Sequence, residues 1–221
     1  MTKYSGELLL VGPNSIKQKN EFKRMFAKSV NLSKVDKKHW RLKLNKVKNT
    51  ANEYELKFLY ENELWDVWLV HRINHIKVEY DDLVNYNERS EKMFREEYLY
   101  GPKDKEGLDS LVNQVEQGGF GIDYYYPTIL SRATYYWYTI ATKQMFFNGN
   151  KRTALITALT YLENNGYQFE IYDNKELYNV SLKLARKELS KDMLFQYIQA
   201  HTILNFEWME SALCVKGNGQ R

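Results

Sequence analysis

The chain has 221 residues, 43% of them hydrophobic and 15% aromatic, with a formal charge of +4. This is enough apolar material for one large packed domain, or one medium and one small, and only three prolines and eleven glycines argue against collagen-like repeats or disorder. A single cysteine, Cys214, excludes an internal disulfide and a cysteine-built zinc cluster, and fits a reducing cytoplasm.

The charge is unevenly spread. Residues 1–50 carry 13 Lys or Arg against 3 acids, a balance of +10, which leaves −6 for residues 51–221. Leu8 to Val11 reads as a short strand, far too short for a signal core or a membrane span. Gly12 to Ser15 reads as a turn, with Ser15 able to cap a helix that sets Phe22, Met25 and Phe26 on one side. Trp40, Leu42 and Leu44 alternate with polar residues, as do Tyr54, Leu56, Phe58 and Tyr60, and then Trp65, Val67 and Leu69. These three runs predict a β-meander. The whole reads as a small basic α/β unit over residues 1–72, followed by a helical domain over 73–202 and a tail over 203–221.

Further along, Leu108, Leu111, Val112 and Val115 make a helical stripe. Pro127 can open a helix through about Lys143 that carries Ile129, Leu130, Ala133, Tyr136, Trp137 and Ile140, with the aromatics serving as core. A second helix is predicted from about Asn150 to Asn165, with Ala154, Leu155, Ala158, Leu159 and Leu162 as its apolar stripe and Gly166 as its stop. Asp173 to Glu176 reads as a cap for a helix through about Lys187, and Ser190 for another bearing Leu194, Tyr197 and Ile198. The tail from Ile203 mixes apolar and polar residues and is expected to fray from Gly217.

The connection between the two central helices is the informative stretch. It reads Gln144-Met145-Phe146-Phe147-Asn148-Gly149-Asn150-Lys151-Arg152-Thr153-Ala154. A helix N-terminus offers free N–H groups and the positive end of the dipole. Gly149 would let a phosphate oxygen come close to the backbone, Lys151 and Arg152 would add charge, and Arg152 can fork onto two oxygens. Asn148 offers an amide oxygen to a magnesium ion that keeps most of its waters. Phe146 is expected to anchor the loop by burying its ring. Asn-Gly-Asn is also an ordinary turn, so the specificity lies in the full string between two apolar helices.

This string resembles the signature of the Fic/Doc (Fido) family, over roughly Ile73 to Thr202 and most strongly from Pro127 to Tyr167. Lys151 and Leu155 resemble the Doc-like (death-on-curing) branch, where the other branch has a second glycine and a second arginine. The resemblance implies an α+β fold: a mostly helical bundle with a small flap, here preceded by the α/β unit with its meander. Gly119, Phe120 and Gly121 fall where the family has its target-docking flap. The resemblance also implies transfer of a phosphoryl or nucleotidyl group from ATP or another nucleoside triphosphate, with Mg2+, to a hydroxyl of a protein target. By family analogy that target is elongation factor Tu, and the protein acts as a toxin neutralised by an antitoxin. Carried over by position, Asn148 holds the metal, Gly149, Asn150, Lys151 and Arg152 hold phosphates, and Gln144 stands where the family has its catalytic histidine.

An amide cannot serve as a base near neutral pH, and losing a general base costs on the order of 10²–10⁴ in rate. Three accounts of Gln144 are open: a natural pseudoenzyme, an inactivated variant, or a base supplied by His39, His71, His75 or His201. Asn148 in place of an acid also removes a negative charge. The family's inhibitory Ser/Thr-x-x-x-Glu-Gly/Asn motif is not evident. Three functions therefore compete: an impaired Doc-like transferase, an inactive module of the same fold that sequesters a partner, and a nucleic-acid-binding protein acting through its basic first quarter.

Overall fold

The computed structural model describes residues 3–94, 99–117, 124–171 and 173–218. The chain forms two compact units, one of residues 1–75, 165–168 and 203–221, the other of residues 76–164 and 169–202. Among the described residues no helix is long and apolar enough to cross a membrane.

The first unit is built on a four-stranded sheet. Its strands are β1 (Gly6–Val11), β2 (Trp40–Lys46), β3 (Glu53–Tyr60) and β4 (Glu63–Ile73), in the order β1-β4-β3-β2. The three predicted meander strands pair antiparallel, and β1 runs parallel to β4. The alternation seen in the sequence is the alternation of faces. Tyr54, Leu56, Val70, Leu8 and Leu10 share one face and are buried. Helix α1 (Ile16–Ser29) contributes Phe22, Met25 and Phe26 to the buried core, with the Phe26 ring edge-on to Trp68 at 5.0 Å. Ser15 caps α1 as expected, accepting from the N–H of Gln18 at 3.0 Å. The stretch read as a tail contains a helix, α8 (Phe206–Asn218), whose Met209 is buried. Gly166 has φ +77°, and a Cβ there would stand 2.7 Å from the Trp208 ring, so glycine is required on both counts.

The second unit is helical: α2 (Tyr80–Phe94), α3 (Lys105–Glu116), α4 (Ile129–Lys143), α5 (Asn150–Asn164), α6 (Asn174–Ala185) and α7 (Lys191–Ala200). Two short strands, β5 (Tyr167–Phe169) and β6 (Thr202–Leu204), most of whose residues belong to the first unit, pair with each other. Helix α4 is the hub and packs on α3, α5, α6 and α7. Its Tyr136 and Trp137 are fully buried, and the Trp137 indole N–H donates to Ser181 Oγ at 2.8 Å. The helix opens after Thr128 rather than at Pro127, because Thr128 and Ser131 form a reciprocal capping box. Asp173 and Ser190 cap α6 and α7.

The buried stripe of α5 is rotated from the predicted one. Thr153, Ala154, Thr157, Ala158, Tyr161 and Leu162 are buried, whereas Leu155 and Leu159 are half-buried. The Thr157 hydroxyl donates to the Thr153 carbonyl at 2.7 Å, so burying it leaves no donor unmatched. On this face Tyr161 meets Tyr136 of α4 edge-on at 5.5 Å and Thr153 meets Asn87 of α2.

Candidate functional site

Helix α4 ends at Gln144, which sits in the left-handed region (φ 50°, ψ 54°) with an exposed side chain. That side chain makes no hydrogen bond among the described residues. The chain then reverses sharply. Met145 and Phe146 plunge into the core, at 2% and 1% exposure, which confirms Phe146 as the anchor. Phe147 is turned out to solvent.

A second segment holds this loop. Pro102 and Phe146 form an antiparallel bridge. The N–H groups of Lys103 and Asp104 both donate to the Met145 carbonyl, at 2.9 and 3.0 Å, and the N–H of Phe147 donates to the Gly101 carbonyl at 3.1 Å. Asn150 tightens the turn from within. Its Oδ1 accepts from the N–H of Phe146 and its Nδ2 donates to the Phe146 carbonyl, both at 2.8 Å. The Asn150 amide is thus engaged in shaping the loop, and its backbone opens α5.

Two buried residues of α2 complete the site, and neither stood out in the sequence. Asn87 is fully buried. Its Nδ2 donates to the Asn148 carbonyl at 2.9 Å and to Thr153 Oγ1 at 3.0 Å, while its Oδ1 accepts from the N–H of Gly101 at 2.8 Å. One side chain therefore ties together the motif loop, the start of α5 and the bracing segment. Glu91, one turn further on and 2% exposed, sets its carboxylate 2.8 Å from the Arg152 guanidinium. The signal available in the sequence was two hydrogen-bonding residues four apart on a helix, where an apolar pair would be expected.

Gly149 lies between these groups with φ +73°. A Cβ there would stand 2.2 Å from Glu91 Oε1 and 3.1 Å from Asn87 Nδ2. The Gly149 N–H points to its neighbour's side chain, donating to Asn148 Oδ1 at 2.8 Å. Asn148 and Lys151 are half-buried. Gly149→Ala is accordingly expected to destabilise the fold. The left-handed backbone alone costs a residue with a Cβ about 1–2 kcal/mol, and the carboxylate it would strike is too buried to swing aside. Thermal unfolding checks this, and an unchanged midpoint would contradict it.

At the start of α5 the Arg152 guanidinium pairs with the buried Glu91 carboxylate beside Gly149. Among the described residues no three His, Cys, Asp or Glu gather as metal ligands. Asn148 Oδ1, which accepts from the Gly149 N–H, is an oxygen that could join phosphate oxygens and water around a magnesium ion. The segment expected to form the flap, with Gly119, Phe120 and Gly121, lies outside the described residues. Three of the histidines have these neighbours. His39 pairs with Glu61, His71 lies 2.9 Å from Glu7, and the His201 ring packs on Tyr197 at 4.7 Å.

Residues 69–162 match the family model described as the Fic/DOC family. The match takes in α2, the bracing segment, the motif loop and most of α5. It supports placing this segment in the Fic family, and it supports group transfer of the AMP- or phosphate-transferring kind in general. No curated protein matches the chain.

Proposed function

We propose that this chain is a Doc-like transferase that moves a phosphoryl or nucleotidyl group from a nucleoside triphosphate to a protein hydroxyl, and that Gln144 leaves it slow. The observation carrying this reading is the start of α5, where Arg152 already pairs with an anion, the Glu91 carboxylate, and Gly149 leaves the backbone bare beside it. Gly149, Asn150, Lys151 and Arg152 would receive the phosphates: Gly149, whose own N–H donates to Asn148 Oδ1, by letting an oxygen come close, and the others through the helix start and the two cations. Asn148 would hold Mg2+, which neutralises charge on the transferring group when bound. Gln144, at the exposed end of α4, would orient the attacking hydroxyl without taking its proton. Positioning and electrostatics carry much of phosphoryl transfer, so activity without a base is slow rather than nil. A toxin role, elongation factor Tu as target and a cognate antitoxin belong to the same reading and rest on the likeness to Doc-like proteins.

Calorimetry with ATP and GTP in the presence of Mg2+ tests the binding half. Heat of binding is expected, stronger in Glu91→Gln, where no carboxylate charge competes with phosphate for Arg152, and weakened when Mg2+ is chelated. No heat above dilution in either protein would end the reading.

A second reading has its own support. Gln144 has no basicity, and Arg152 is occupied by a residue of the chain itself. Both suit a module of this fold that grips a partner without turnover. It is favoured if Gln144→His and Glu91→Gln together leave target labelling at background while a partner complex persists.

A further inference from the structure

Among the described residues, the outer edge of β2 has no strand beside it in the sheet. The hydrogen bonds from Glu61 N–H to the His39 carbonyl (2.8 Å) and from Val47 N–H to the Glu53 carbonyl (3.0 Å) fix the phase of the β2–β3 ladder. Arg41, Lys43 and Asn45 direct their backbone groups to β3, so Trp40, Leu42, Leu44 and Lys46 direct theirs outward. No partner for those outward groups occurs among the described residues. The strand is seven residues long, and its register with β3 runs without a bulge over its whole length.

The side chains divide cleanly between the two faces. Arg41 and Lys43 are exposed on one face, and Lys43 lies directly opposite Lys57 of β3. Like charges set opposite each other across a ladder are unfavourable; Lys57 is matched by Glu55 at 2.9 Å, which leaves Arg41 and Lys43 as the unmatched cations of this edge among the described residues. Leu42 and Leu44 occupy the other face, half-buried. Residues 31–50 carry seven Lys or Arg against one acid, Asp36.

We infer that the β2 edge is a docking site for an extended segment of a partner protein, one that alternates acidic and apolar side chains and adds a fifth strand to the sheet. The acidic residues would lie beside Arg41 and Lys43, and the apolar ones beside Leu42 and Leu44. Basic side chains on an edge also repel unwanted strands. Here that repulsion acts as the filter, rejecting cationic strands and admitting anionic ones. A second copy of this chain is a poor occupant, because antiparallel self-pairing sets Lys43 against Lys43 or Arg41. A nucleic acid is disfavoured as well. The outward edge alternates donors and acceptors, which a phosphate backbone cannot match. The most exposed ring nearby, Trp65, follows the acidic turn of Glu61 and Glu63.

The test uses the full chain and two synthetic peptides, seven residues alternating Glu with Val and seven alternating Lys with Val. The Glu–Val peptide is expected to bind and to slow amide exchange at Leu42 and Leu44, while the Lys–Val peptide does neither. Arg41→Glu combined with Lys43→Glu is expected to reverse the preference, with about a tenfold change in affinity for each peptide. These positions are exposed, and the Lys43→Glu change sets a carboxylate opposite Lys57 in place of a like charge, which favours folding of the variant. Equal binding of both peptides would overturn the inference, as would absence of protection at Leu42 and Leu44. It would also be overturned by self-association through this edge, or by single-stranded oligonucleotide binding that falls with salt and leaves those amides unprotected.

Discussion

Gln144→His is expected to raise target labelling by on the order of 10²–10⁴, the usual worth of a positioned general base. The substitution suits its surroundings. Position 144 has a left-handed backbone, where histidine is over-represented among residues with a Cβ. Its side chain is exposed, so the exchange disturbs no packing. The gain should therefore appear in turnover and not in nucleotide affinity, because the base touches the attacking hydroxyl while the phosphates rest on α5. It should also introduce a pH dependence. A histidine base works only when neutral, so labelling by the variant should rise as pH increases through about 6.5, while the slow activity of the Gln144 form lacks that rise. Radiolabelled ATP with a cell lysate, followed by pH profiles of both proteins, measures this. Nucleotide binding retained with labelling at background in both proteins would sink the catalytic reading and leave the binding module standing.

The parts of the site legible in the sequence were those encoded by local chemistry. The Gly149 turn, the start of α5 and the burial of Phe146 follow from residue types that act within a few positions of themselves. The meander was legible for the same reason, since alternation is a local pattern. The face of α5 was read in part: Ala154, Ala158 and Leu162 are buried as expected, but Leu155 and Leu159 were taken for core on leucine alone. The structure buries Thr153 and Thr157, whose hydroxyls find partners in the helix itself, or in Asn87 for Thr153. The α2 contribution was missed for a deeper reason. Asn87 and Glu91 lie about 60 residues before the motif, and although they continue the face of Leu83 at helical spacing, nothing in α2 alone says what they meet. Only the packing of α2 on α5 reveals that Asn87 is fully buried and that Glu91 faces Arg152. Helix α8 was hidden by mixed composition. Its anchor, Met209, buries itself only because the rest of its unit surrounds it.

Arg152→Ala is expected to cost more than nucleotide binding. The Glu91 side chain is 1% exposed and that of Arg152 is 19% exposed, so the pair is largely withdrawn from water. Removing one member of a buried pair leaves an uncompensated charge and costs roughly 3–5 kcal/mol. For a chain of this size that is a fall in melting temperature on the order of 10 °C. Glu91→Gln has a different outcome, because it removes the charge and keeps the shape. Its stability is expected to stay within about 1–2 kcal/mol of the parent, and triphosphate affinity is expected to rise, because the phosphate no longer competes with a resident carboxylate. The double variant separates the two effects. With no buried anion to strand, Glu91→Gln with Arg152→Ala should recover most of the stability lost in Arg152→Ala, yet bind no nucleotide. Melting curves and calorimetry on the four proteins form a complete cycle. If the double variant is as unstable as Arg152→Ala, the ion pair is not the source of the loss. If it binds ATP as well as the parent, Arg152 is not a phosphate ligand, and the cradle must be sought in Lys151 and the backbone alone.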